Sequence, residues 1–355
     1  MEFGIALATA ADAWKTVRRA EELGFAHAWF YDTQMLCADV FVAMGAAAVQ
    51  TSKIRLGTGV LIPSNRIAPV TANGFASLNQ LAPGRIDFGV GTGFTGRRTM
   101  GLGAIKLAEM EEYIRVVQAL WRGETTDFDV EGERKKIAFL NPELNLINLN
   151  DPIGTHISAY GPRARRLTAK LGAGWLNFVG DVAGGVAAME AMKKSWAEAG
   201  RAAGDLSAVA FALGCILAPG EAADSDRAVA QAGPRAAVLL HRAADEALSG
   251  LPNTSSVPAE VADAVNGYVA LARTYEPADA RYLENHRGHL MAVKARERPF
   301  VTAELIRRTT FTGTEADLVD RIAALRDAGY RQFTIQLIPG HEHAIEDWAR
   351  IARKF

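Results

Sequence analysis

Short apolar runs alternate with amphipathic stretches along nearly the whole of this chain. Residues 54–60, 85–90, 157–159 and 209–217 are mostly apolar and brief, the pattern of parallel strands buried on both faces. A second signal recurs three times: an amphipathic helix ends at a glycine, and an aromatic-rich strand follows within a few residues. Glu22-Leu23-Gly24-Phe25 leads into His27-Ala28-Trp29-Phe30, Lys170-Leu171-Gly172 into Trp175-Leu176, and Asp327-Ala328-Gly329-Tyr330 into Phe333-Thr334-Ile335. Two of the preceding helices open on a capping pattern, Thr9 with Asp12 and Thr314 with Asp317, where a hydroxyl accepts a free first-turn amide and an acid suits the helix dipole.

This alternation, running from Phe3 to a last strand at 333–338, suits a closed barrel or an open doubly wound sheet. Roughly eight repeats favour a single (β/α)8 TIM barrel over residues 1–355. Two stretches break the rhythm and are expected to be insertions. Residues 125–146 are polar with β-leaning ends; residues 219–311 read as several helices, with Leu251-Pro252-Asn253-Thr254-Ser255-Ser256 as a loop and an aromatic, His-bearing stretch at 275–300. Insertions of this kind at a barrel's active face often form lids.

Composition narrows the partners. With 39 basic and 40 acidic side chains the formal charge is −1, so no overall field favours nucleic acid or an anionic membrane, and a small molecule is the expected ligand. Cys37 and Cys215 lie far apart without metal-type spacing, which fits buried thiols in a reducing cytoplasm. The start Met1-Glu2-Phe3-Gly4 lacks a basic region and a cleavage site, and every apolar run is too short to span a bilayer, so a cytoplasmic location is expected.

Four segments carry candidate chemistry. Gly91-Thr92-Gly93-Phe94-Thr95-Gly96 contains Gly-x-Gly-x-x-Gly after a strand, where a backbone free of Cβ atoms can approach a phosphate or a flat ring. A dinucleotide fingerprint would open a helix at once, whereas here Arg97-Arg98-Thr99 and two more glycines precede the helix 108–121, so a glycine-rich turn is the plainer reading. Tyr160-Gly161-Pro162-Arg163 ends a strand and starts the helix 164–171, whose free amides favour a phosphate; an ordinary helix start is equally consistent. Gly57-Thr58-Gly59-Val60 ends another strand, as packing glycines or as unusual backbone beneath a ligand. Asp32-Thr33-Gln34 sits at a strand's C-terminal end, where barrel enzymes place chemistry, although a loop-bracing aspartate is the even alternative.

Two histidine clusters remain. His286-Arg287-Gly288-His289 lies beside Arg281, Tyr282 and Glu284 and reads first as a solvated helix face; if the segment folds over the barrel mouth, His289 or His286 is placed to donate a proton or bind substrate. His341-Glu342-His343 has metal-like spacing but no complementary ligands at other strand ends, so no metal site is expected.

Taken in order, Gly24-Phe25…Trp29…Asp32, Gly57-Thr58-Gly59-Val60…Pro63, Leu78…Leu81…Gly84-Arg85…Gly89-Val90-Gly91-Thr92-Gly93, Gly161-Pro162…Gly172…Gly174-Trp175 and Thr312-Gly313-Thr314…Leu325…Gly329 resemble the bacterial-luciferase-like superfamily of flavin- and deazaflavin-dependent oxidoreductases. Length and spacing are closer to its methylenetetrahydromethanopterin-reductase-like branch than to luciferase itself. The resemblance implies a homodimeric barrel enzyme with a non-proline cis peptide at Gly59-Val60 under the flavin. It places the ring edge near Asp32 and Gly91-Thr92-Gly93, and the cofactor phosphate along Ala159-Tyr160-Gly161-Pro162-Arg163.

Departures from the family pattern guide the chemistry. Members that reduce sugars or pterins commonly carry a His and an acid where this chain has Thr33 and Phe94, and methylenetetrahydromethanopterin reductases place a first-strand acid where it has Ala6. Lacking those donors, the chain is expected to use reduced FMN as a monooxygenase on a small organic substrate, fed by a separate flavin reductase. The alternative is coenzyme F420-dependent hydride transfer; a metal-dependent barrel hydrolase and a non-catalytic flavin carrier are the rivals of other classes. Asp32, Thr33 and His289 are the candidate catalytic residues, and Gln34, Phe94, Tyr282 and His286 the candidate substrate contacts.

Overall fold

The computed structural model describes residues 1–251 and 257–355, so all but Leu251 of the anticipated 251–256 loop lies outside the described residues. Eight parallel strands close on themselves: β1 (Glu2–Leu7), β2 (His27–Phe30), β3 (Arg55–Thr58), β4 (Ile86–Val90), β7 (Gly154–Ser158), β8 (Gly174–Phe178), β9 (Ala208–Ala212) and β10 (Gln332–Leu337), while β5 (Thr126–Val130) and β6 (Glu133–Ile137) pair apart as a hairpin. Closure comes from β1, which aligns Leu7 with Leu337 of β10 on one side and with Phe30 of β2 on the other. A barrel strand faces side chains inward and helices outward, and β4, β9 and β10 are buried along their whole length, as their apolar runs require.

The glycine-terminated helices end as the sequence predicts. Gly24, Gly172 and Gly329 take φ of +88°, +62° and +118°, which only glycine adopts readily, and each turns its helix back toward the next strand. Thr314 caps the helix Glu315–Ala328, accepting the Asp317 amide at 3.3 Å. The other anticipated cap fails: the first helix starts later, at Trp14, with no side-chain cap, because the Thr9 hydroxyl is drawn to the Ala38 carbonyl. The strand expected over 209–217 stops at Ala212, since the chain then leaves the barrel and bridges Ile216 to Gly313.

Inside the barrel, Trp29, Tyr31, Leu176, Val209 and Phe211 form a central plug beneath the mouth. Gly57 is a packing glycine here: a Cβ would lie 2.6 Å from the Trp29 ring. The polar stretch 125–146 supplies the β5–β6 hairpin. Between β9 and β10 the helices Asp226–Ser249, Ala262–Ala272, Arg281–His286 and Ala303–Thr309 build a second core of their own around Leu240, Tyr268 and Leu305. Among the described residues, no helix is long and apolar enough to cross a membrane.

Candidate active site

A cavity of about 590 Å³ opens at the C-terminal ends of the strands, where the β2, β3, β4 and β7 loops meet the helical segment. Its barrel side comprises Asp32, Thr33, Gly59, Val60, Gly91, Thr92, Gly93, Phe94, Tyr160, Gly161 and Pro162; its other side brings in Arg235, Val238, Arg242, His289, Leu290 and Met291. A second cavity, of about 390 Å³, lies at the start of β7 around Gln118, Asn148 and Asp151, away from these groups.

The Gly59–Val60 peptide is cis, as the family resemblance implies. The glycine-rich loop departs from expectation, because a helix does open at once: Gly93, at φ +81°, leads directly into Phe94–Arg98. That helix is only five residues long and serves the barrel mouth; closure of the sheet excludes a Rossmann reading. On the opposite lip, Gly161 is the uncapped start of Pro162–Leu171, with Pro162 in the first turn. The Arg163 and Ala164 amides therefore have no intrahelical acceptor, and a Cβ at Gly161 would meet nothing within 4 Å. Ala159 and Arg163 themselves lie off the cavity wall: the Ala159 carbonyl accepts Trp175 Nε1 at 2.8 Å, and Arg163 is exposed.

Several anticipated site residues do other work. Asp32 reaches the wall, but one oxygen accepts Arg66 at 2.9 Å while the other accepts the Ile62 amide at 3.1 Å and Asn65 at 3.2 Å. Both oxygens are occupied by donors, so Asp32 braces the β2–β3 loops. Thr33 lines the cavity with its hydroxyl 2.9 Å from Cys37 Sγ. Gln34 is turned away from the cavity by hydrogen bonds to Asn65 and the Gly96 carbonyl. Tyr282 packs on Gly101 outside the lining, and His341–His343 lie on the turn after β10. Phe94 does line the cavity, clamped between the guanidiniums of Arg98 at 3.6 Å and Arg242 at 4.6 Å.

The expectation of a solvated face at 286–289 is overturned. His286 and His289 are each 2% exposed, because the segment folds inward onto helix Asp226–Ser249. His289 sits between Gly288 and Leu290, both at positive φ, and Gln336 of β10 anchors this turn by donating to the Leu290 carbonyl at 2.6 Å. Its Nε2 faces Thr95 at 3.4 Å and its Nδ1 meets His241 Nδ1 at 2.7 Å. His241 Nε2 in turn lies 2.7 Å from Glu297, which Lys294 approaches at 2.8 Å. Burial pushes the Glu297 carboxyl up, but His241 and Lys294 outweigh it and hold it at about 2. An ionised Glu297 accepts a hydrogen bond from His241 Nε2–H, so His241 Nδ1 accepts from His289 Nδ1–H, which leaves His289 Nε2 an acceptor facing Thr95 of the cavity lining. Burial, helped by the charges of His241, His286, Arg242 and Arg235, keeps His289 well below the usual imidazole range and thus neutral at rest.

Beside this chain, His286 Nε2 meets Asp245 at 2.9 Å, and Asp245 pairs with the equally buried Arg98 at 2.6 Å. One ring nitrogen from each of His241, His286 and His289 falls within 4.8 Å of the other two, a spacing that a metal could use. Two facts favour protons instead. Nitrogens sharing one zinc stand about 3.3 Å apart, given bonds of ~2.05 Å at tetrahedral angles, whereas the His241–His289 gap is 2.7 Å. The flanking Arg98, Arg242 and Lys294 also oppose a divalent cation. Of this network the sequence pattern pointed only to His286 and His289; His241 and Asp245 are polar positions of a helix and Glu297 of a turn, with no local motif to mark them.

A family model of luciferase-like monooxygenases matches residues 4–332. The chain is 37% identical over 141 residues to an F420-dependent glucose-6-phosphate dehydrogenase of Beutenbergia cavernae, covering 38% of this chain and only 40% of that protein. It is 27% identical over 320 residues to a 5,10-methylenetetrahydromethanopterin reductase of Archaeoglobus fulgidus, covering 89% of this chain and 86% of the relative. The solved coenzyme F420-dependent tetrahydromethanopterin reductase from Methanopyrus kandleri superposes with a TM-score of 0.69 at 19% identity, over 98% of this chain and 97% of that one. The FMN-bound oxygenating constituent of 3,6-diketocamphane monooxygenase from Pseudomonas putida gives 0.61 at 13%, over 99% and 96%. At those identities the two structures attest the fold alone. The family model, which spans most of the barrel whose mouth and cis peptide are described above, shows that this chain belongs to the luciferase-like monooxygenase family.

Proposed function

We propose that this protein is an F420-dependent oxidoreductase acting on a small organic substrate, with His289 carrying the proton that accompanies hydride transfer. The observation that carries the reading is His289 in the cavity lining, its Nε2 facing Thr95 and its Nδ1 backed through His241 by the ionised Glu297. The preference for FMN suggested by the sequence rested on missing donors at Ala6, Thr33 and Phe94. That ground falls away, since His289 reaches the wall next to Thr95, one residue beyond Phe94, from the helical segment. Relatives named for F420 dependence support the same choice.

The residues present fit a flat ring bearing a phosphate. Val60, Ile62, Leu36 and Phe178 offer apolar contact, Gly91 and Gly93 keep the backbone close, and the open, uncapped helix start at Gly161 suits an anion. A bound deazaflavin supplies hydride transfer only, whereas reduced FMN also reacts with oxygen. The chain's own part is to hold the substrate and manage the proton. His289 Nε2 accepts it from a hydroxyl during oxidation, and His241 with Glu297 stabilises the imidazolium that results; reduction runs the reverse path. Under this reading no separate flavin reductase is required. A second copy of the chain is proposed to cover Val42, Val49, Val70 and Leu81, apolar side chains at least half exposed on the neighbouring helices Val40–Gln50 and Ala68–Leu81; sedimentation checks this dimer.

Separate fluorescence titrations of the apoprotein with F420 and FMN test the cofactor, and turnover with small carbonyls and secondary alcohols tests the reaction. F420 should bind the more tightly, and His289→Asn should retain that affinity while losing roughly 10²–10⁴-fold in turnover. Tighter FMN binding with oxygen consumption would return the protein to the monooxygenase reading.

A further inference from the structure

Helix Asp226–Ser249 turns Arg235 and Arg242, seven residues and about two turns apart, into the cavity on the same side as His289. Neither belongs to the proton chain. Arg235 is partly buried, its Nε is shielded from solvent without a hydrogen-bond partner, and no carboxylate among the described residues pairs with it. Its neighbours Tyr31 and Tyr160 are neutral phenols. Burial disfavours the charge on both guanidiniums, and Arg235 adds to the effect at Arg242, which is brought down to about 10.

The nearby carboxylates that could neutralise Arg235 are engaged elsewhere. Asp32, the carboxylate on the cavity wall, is held by Arg66; Asp245, one turn beyond Arg242, is held by Arg98 and His286. Arg235 thus keeps its positive charge in a largely apolar pocket with no carboxylate paired to it among the described residues, an arrangement that is costly unless a ligand brings the opposite charge. The fork of Arg235, which has no protein partner among the described residues, matches the two oxygens of a carboxylate or phosphate.

We infer that the substrate of this enzyme carries an anionic group, a carboxylate or phosphate, which Arg235 binds beside the reacting carbon, with Arg242 adding positive charge to the same wall. The inference deepens the oxidoreductase reading and rests on it for the word substrate. An anion on the cofactor is the other source of the same chemistry. The substrate is favoured because the open helix start at Gly161 already provides a phosphate position on the barrel lip, while the arginines share their helix with His241 and line the same side of the cavity as His289.

The test uses inorganic phosphate as the probe, titrated calorimetrically into the full-length apoprotein at constant ionic strength, with F420 affinity measured separately. Wild type should bind phosphate saturably, and Arg235→Gln should weaken that binding roughly ten- to hundred-fold while leaving F420 affinity unchanged. The same variant should melt no lower than wild type, because it removes an unpaired charge; a purely structural arginine would melt lower. Arg242→Gln supplies the second variant, and Arg235→Lys should recover only part of the phosphate affinity. With a 2-oxo acid and its methyl ester as acceptors, the substitution should raise KM for the acid alone. Equal phosphate binding by wild type and Arg235→Gln overturns the inference, as does phosphate that competes with F420 and is lost together with it. Failure of F420 to bind, with phosphate binding retained, would instead strike the proposed function.

Discussion

His241 and His289 stand 48 residues apart in sequence, yet their Nδ1 atoms lie 2.7 Å from each other in the wall of the barrel mouth. Only one of those nitrogens can hold the intervening proton, so the pair acts as a unit, and the ionised Glu297 behind it decides which way the proton sits. The arrangement makes the folded protein sensitive to acid.

Stability should therefore fall as the pH drops below about 6.5, the ordinary imidazole value. Burial lowers the folded pKa of both His241 and His289, so beneath that pH the unfolded chain binds more protons than the native one. His27 on the barrel floor, held at about 4 by burial, acts with the same sign. Urea midpoints measured from about pH 8 to about pH 5 check this. The double variant His241→Gln/His289→Gln should have a flatter profile with the His27 part remaining, and an unchanged slope would refute the assignment.

Removing Arg98 should be among the more damaging single changes in the molecule. Its ion pair with Asp245 is 4% and 3% exposed, and Arg98→Met leaves that carboxylate buried with His286 and Asn285 as its remaining hydrogen-bond partners among the described residues. A loss of about 3–5 kcal/mol is expected from denaturant unfolding. A loss below about 1 kcal/mol would mean that the pair is solvated in solution.

Two glycines separate packing from binding. A Cβ at Gly89 would come 1.9 Å from the Thr58 carbonyl, so Gly89→Ala must part β3 from β4 and should cost at least about 1–3 kcal/mol. Gly161→Ala meets open space at φ −83° and should stay within about 0.5 kcal/mol of wild type. Its methyl group would nevertheless stand where the cofactor phosphate is expected, so cofactor affinity should fall. Unchanged affinity would move the phosphate away from this helix.

Asp32→Asn distinguishes bracing from catalysis. Three donors converge on the carboxylate, and neutralising it should lower stability by about 1–3 kcal/mol. The pH dependence of turnover should keep its shape in this variant and lose its limb in His289→Asn. A profile that changes in Asp32→Asn would restore Asp32 as a participant.

What the linear chain determined by itself was the repeating architecture and the barrel side of the mouth. Glycine stops at Gly24, Gly172 and Gly329, brief apolar runs, and the loops at Gly59, Gly91 and Gly161 are local signals, since each depends on backbone conformation or strand burial within a few residues. The opposite wall was decided by tertiary structure alone. Arg235, His241, Arg242 and Asp245 lie on one helix, and Glu297 on a turn, whose polar positions look alike whether they face water or a pocket, and the histidines at 286 and 289 read as solvent-facing for the same reason. Their burial is tolerable only because remote partners satisfy them: His289 by His241, His241 by Glu297, Asp245 by Arg98 147 residues away. Desolvating a charge is costly until its partner arrives, and no pattern within a single helix records where that partner will come from.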